Sequence, residues 1–115
     1  MFVSHRDEIE KKIIENPAMK GVVKQVLIGP EQGWKDYVMR LFTLSKGGYA
    51  PRHTHPWQHI MYVVEGEGKL FMNGIDYPLV AGSVSYVPAE VEHQVMNAGD
   101  AKFVFICIVP EFGDK

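Results

Sequence analysis

From Val22 onward, short runs rich in Val, Ile, Phe, Tyr and Met alternate with Gly, Pro and Asn about every eight to twelve residues, the pattern of an all-β sandwich or barrel. It predicts strands near Val22–Ile28, Asp36–Ser45, Tyr49–His53, His59–Glu65, Lys69–Met72, Ile75–Leu79, Ser83–Val87, His93–Asn97 and Lys102–Val109. Asn73-Gly74 suits a type I′ hairpin, which needs positive φ at both central residues, so the strands around it should pair antiparallel. Pro78 and Pro88 remove ladder donors and belong at sheet edges or strand ends. Residues 1–20 differ from the rest, being charged and helix-permissive. Ile9, Ile13 and Ile14 share one helical face and Asn16-Pro17 supplies a stop, so a short helix or arm is expected there, ahead of a β domain over residues 21–115. No internal repeat or linker divides that framework, which implies a single domain.

Composition narrows the class. The 115 residues are 46% hydrophobic and 23% charged, enough apolar surface for a core without disulfides. A net charge of −2 with interspersed signs leaves no footprint for nucleic acid or an anionic membrane. The longest apolar run, Phe103 to Val109, is far shorter than a membrane span. One cysteine, Cys107, excludes an internal disulfide framework, and with no apolar leader at Met1–Glu8 a soluble cytoplasmic protein is expected.

The chemistry concentrates in four of the five histidines: His53, His55, His59 and His93. Residues two apart on a strand point to one face, so His53 and His55 can aim at one ion, and His59 keeps the same parity across Pro56. Several imidazoles on one inward face are costly to bury without a metal or hydrogen-bonding partners. A lone histidine there would be an ordinary satisfied core residue, and a two-apart pair also occurs on exposed strands. His5, in the arm, reads as solvated.

Gly47-Gly48, His53-x-His55, three residues, His59, six residues and Gly66 resembles the first cupin motif, with histidine in the glutamate position. Gly82-x5-Pro88-x-Glu90-x2-His93-x3-Asn97 resembles the second, with Glu90 in place of the motif's glycine. The resemblance covers about half the chain and implies a double-stranded β-helix, the cupin jelly roll. It implies that His53, His55, His59 and His93 hold one divalent transition metal per subunit, as in small one-domain cupins that use four histidines.

Four neutral imidazoles leave a divalent charge uncompensated and favour an anionic ligand. On a six-coordinate ion they leave two open positions, whereas a tetrahedral zinc would be closed and structural. Nitrogen ligation argues against calcium and magnesium and suits manganese, iron or nickel first, with zinc and copper as alternatives. Alternation nominates Met61 and Val95 for the pocket wall, with Trp57 in the short connection beside His55 and Arg40 a further candidate. Both faces of the last strand look apolar, and the cupin resemblance implies that Phe105 and Cys107 lie on the inner one. Cys107 reads either as a small buried hydrophobe or as a neighbour of the metal pocket; Arg40 as an anion binder, a structural ion pair or an exposed edge charge.

Two function classes follow. One is a metal-dependent oxygenase-type oxidoreductase acting on a small chelating organic molecule. The other is a non-catalytic metal- or ligand-binding cupin, with isomerase or lyase chemistry as a further alternative. Apolar residues on both faces of Tyr37–Leu44 and Phe103–Val109 suggest a homodimer with the N-terminal arm or first strand contributing.

Overall fold

The structure, a computed structural model, describes residues 1–114. Among the described residues there are nine strands: β1 (Lys12–Ile14), β2 (Lys20–Ile28), β3 (Tyr37–Tyr49), β4 (His59–Glu65), β5 (Glu67–Met72), β6 (Ile75–Val80), β7 (Val84–Val87), β8 (His93–Asn97) and β9 (Phe103–Pro110). All pairings are antiparallel, in the order β6-β5-β8-β3-β9-β4-β7, with β2 and then β1 added on β3. The sheet curls into a jelly-roll barrel because β3 serves both walls. Its first part pairs with β9 from Tyr37↔Pro110 to Leu44↔Phe103, and beyond Gly47, at φ 76°, Tyr49 pairs with Met96 of β8.

The inner faces are apolar by strict alternation. Val38 and Leu44 of β3, Met61 and Val63 of β4, and Phe103, Phe105, Cys107 and Val109 of β9 form one buried cluster with Leu70, Leu79, Val87 and Val95. Asn73 and Gly74 take φ of 51° and 83°, joining β5 to β6 by the tight hairpin. Pro78 lies on β6, the edge strand, and Pro88 follows the end of β7, where neither interrupts a ladder. Among the described residues no helix is long and apolar enough to cross a membrane.

Two expectations need correction. The N-terminal segment is an arm without an α-helix: a single 3-10 turn, Arg6–Glu8, precedes β1. Three isoleucines are too little for an isolated helix, and the open edge of β2 offers backbone partners instead, with Ile13↔Val23 and Ile14↔Val22 in register. Tyr49–His53 is not a separate strand. Tyr49 ends β3, Pro51 has no N–H to give a ladder, and His53 makes only an isolated bridge to His93. The arm also covers part of its own sheet. Buried Gln25 donates to the carbonyls of Arg6 (2.6 Å) and Ile9 (3.0 Å), holding the 3-10 turn over the outer face of β2.

Candidate metal centre

His53 and His93 exchange both backbone hydrogen bonds, each 3.1 Å, so their side chains leave the sheet on the same side. Their ring centroids lie 4.8 Å apart, and that of His55 lies 5.0 Å from His53 and 4.8 Å from His93. Ligand atoms of these three rings come within 4.8 Å of one another, close enough to hold one ion. The turn leading to His93 is stapled to the same place, because the Glu90 N–H donates to the His55 carbonyl (2.8 Å). Glu90 adopts φ 69°, taking the left-handed conformation that glycine would supply.

Each ring of the triad is oriented by a carbonyl. Nδ1 lies 2.9 Å from the Pro51 oxygen in His53, 2.7 Å from that of Trp57 in His55, and 2.8 Å from that of Val91 in His93. A carbonyl oxygen only accepts, so Nδ1 carries the proton and the Nε2 lone pair is left for a Lewis acid. Trp57 also stacks on His55 at 4.4 Å with 4° between the planes.

His59 stands beside this triad. Its centroid is 4.8 Å from that of His93 and 5.4 Å from that of His55. Nδ1 meets the Cys107 sulfur at 3.0 Å, and Nε2 is buried with no hydrogen-bond partner among the described residues. A buried nitrogen without a partner is costly, and a cation in the adjoining cavity would relieve that cost, so the residues present fit a metal. Arg40 Nη2 already donates to the same sulfur (3.0 Å), leaving Cys107 able to receive the His59 Nδ1–H and free Nε2.

Burial favours the neutral form of His55, His59 and His93. It pushes His59 down to about 3, helped by the neighbouring charges of His93, His55, Arg40 and His53. His55 and His93 are also lowered, mainly by burial, with the Trp57 and Val91 carbonyls opposing. Burial raises the Cys107 thiol, against the pull of Arg40. The stability consequence has a definite sign. Unfolding lets His59 take a proton near its ordinary 6.5, so its folded environment weakens the fold progressively from there down to about 3. We expect metal-free protein to lose about 1.4 kcal/mol per pH unit through His59 below that upper limit. Urea titrations of His59→Gln should show a pH slope flatter by about one proton, and equal slopes in both proteins would refute the assignment.

One cavity of about 530 Å³ joins these groups, within the range of small-molecule sites. Arg40, Trp57, Met61, Val95, Phe105 and Cys107 line it together with all four histidines. Arg40 is buried, ion-paired to Asp114 (3.6 Å) and set over Phe42. The sequence analysis missed Ile14, Met19, Lys24 and Gly113 in this wall. Lys24 had a readable signal, since it alternates with Val22 and Val26 on an otherwise apolar face.

Comparison with known proteins agrees with this architecture. The chain is 29% identical over 101 residues to the polyketide synthase CurC of Streptomyces cyaneus, a match over 85% of this chain and 63% of that protein. The chain spans between 43% and 63% of the length of the first curated relatives it matches. The polyketide cyclase RemF of Streptomyces resistomycificus superposes with a TM-score of 0.88 at 26% identity, over 96% of this chain and 79% of that one. A protein from Thermotoga maritima described as a predicted oxalate decarboxylase gives 0.86 at 27% identity, over 95% and 98%. The family model described as Cupin domain matches residues 40–109, from the arginine of the cavity wall through both histidine-bearing segments to the last strand, and the chain belongs to this cupin family.

Proposed function

We propose that His53, His55, His59 and His93 hold one divalent transition metal per chain, manganese, iron or nickel in preference to zinc or copper, and that the protein is an oxygenase-type oxidoreductase for a small chelating organic molecule. The reading is carried by the donor set: four imidazoles around one largely apolar cavity, with the Asp114 carboxylate at its wall tied to Lys24 and Arg40. A carboxylate held by two cations is a poor base for proton abstraction, whereas redox or Lewis-acid chemistry needs only open positions on the ion. When bound, the metal would polarise a chelated oxygen and, if redox-active, exchange single electrons with dioxygen. The chain's own residues supply the setting. Met61, Val95 and Phe105 keep water from the apolar part of the substrate, and the carbonyls behind His53, His55 and His93 hold the tautomer a ligand needs.

Protein loaded anaerobically with iron(II) should bind nitric oxide and consume dioxygen with its substrate. A zinc-filled site inert to nitric oxide and azide would overturn the reading in favour of a structural or binding role. The likeness to a polyketide cyclase favours a second reading, redox-silent isomerase or lyase chemistry, which turnover with zinc would select.

We also propose a homodimer. On the outer face of β4 and β7, exposed Ile60 and Tyr62 stand in register with exposed Tyr86 and Val84, and Ile108 and Ile106 of β9 adjoin them. The arm occupies a different part of the sheet, so this patch is where a second copy would be buried. Sedimentation at micromolar concentration should show a two-chain species that Tyr86→Glu dissociates. A single-chain species in the unmodified protein would refute it.

A further inference from the structure

The wall beside His59 carries charge that metal binding does not use. Lys24 of β2 and Arg40 of β3 both line the cavity, and both are paired to one carboxylate, Asp114, at 2.7 Å from Lys24 Nζ and 3.6 Å from Arg40 Nη1. All three side chains are largely withdrawn from solvent, so two cations share a single anion where charge is poorly screened. Arg40 is only 8% exposed, and its Nε has no hydrogen-bond partner among the described residues. Its Nη2 touches Cys107, whose sulfur touches His59, so the guanidinium lies two hydrogen bonds from the histidine cluster. Apolar residues also line this cavity, among them Phe42, Phe105, Ile14 and Met19.

We propose that Lys24 and Arg40 form a carboxylate-binding subsite, that Asp114 fills it in the empty protein, and that the ligand is a small carboxylic acid with an apolar body whose carboxylate displaces Asp114. This deepens the proposed function, since the same cavity is used, but the subsite stands on its own residues and needs no metal. Asp114 suits an occupant that leaves. It follows the 3-10 turn Glu111–Gly113, is joined to that turn by its N–H on the Glu111 carbonyl (3.1 Å), and lies 90 residues from Lys24 in the chain. The surplus cation and the unpartnered Nε supply what an arriving carboxylate would gain over Asp114, because guanidinium recognises planar carboxylates through two donors at once. Asp114 sets a threshold: it satisfies two buried cations when no ligand is present and is outcompeted only by an acid that also fills the apolar wall.

Calorimetric titration of metal-free protein at about pH 8, with benzoate as the probe and neutral benzamide as its control, tests this apart from the metal. Asp114→Asn should tighten benzoate about tenfold relative to the unmodified chain, leave benzamide unchanged, and melt at a lower temperature that benzoate restores. Adding Lys24→Gln to Asp114→Asn should remove the gain. Equal benzoate affinity with and without Asp114, or a gain that benzamide shares, would overturn the subsite. Failure of the chain to bind metal while the Asp114 effect persists would defeat the metal reading alone.

Discussion

Alanine at His55 or at His93 is expected to abolish stoichiometric metal binding and to erase the stabilisation that metal confers. Each removes one member of the triad whose ligand atoms lie within 4.8 Å, and the Asp114 carboxylate is tied to Lys24 and Arg40 and so does not replace it. Metal at a thousand times its dissociation constant stabilises a native state by about 4 kcal/mol. For a domain of this size that is a rise in Tm on the order of 10 °C. The metal-free variants should lose far less, because each substitution also removes an imidazole whose burial opposes protonation. The comparison that matters is the difference between loaded and metal-free protein, which should fall from that value to near zero in both variants. Full metal content in both, by elemental analysis after dialysis, would show that the ion is held elsewhere.

A second large effect is expected at His59. Glutamate there would place a negative charge where a neutral ring now stands, beside a divalent ion otherwise surrounded by neutral ligands. His59→Glu should retain the metal, lower the reduction potential of bound iron or manganese, and weaken azide binding by at least about tenfold, since the anion would meet one less unit of positive charge. His59→Ala should instead open a further position and loosen the metal. The Cys107 sulfur at Nδ1 and the bare Nε2 make this ring the pivot between metal and pocket wall. If His59 does not reach the ion, neither substitution will move the metal spectra or the azide affinity.

The barrel and the histidine cluster were legible because both rest on a short period. Alternation puts His59 with Met61 and Val63 on one face, and Asn73-Gly74 announces its own turn, whereas the inward face of Phe105 and Cys107 came from the cupin resemblance because both sides of that strand are apolar. The cupin motifs added the long-range association of His93 with His53, which the backbone bridge between them realises. What stayed hidden depends on distant partners. Ile9, Ile13 and Ile14 fit a helical face, and only the free edge of β2 makes that segment a strand. Nothing in the local sequence marks Asp114, which folding brings to Lys24 and Arg40. The standing of His59 beside the triad, with one nitrogen on sulfur and the other unpartnered, also depends on where β9 places Cys107.

The most direct test of the four-histidine centre is X-ray absorption at the metal edge of protein loaded with one equivalent of manganese, which counts imidazole ligands by their outer-shell scattering. Four imidazoles, with the remaining positions held by exchangeable oxygen donors that azide displaces, are expected. Three imidazoles or fewer, or a spectrum that azide leaves unchanged, would contradict an open centre built from His53, His55, His59 and His93.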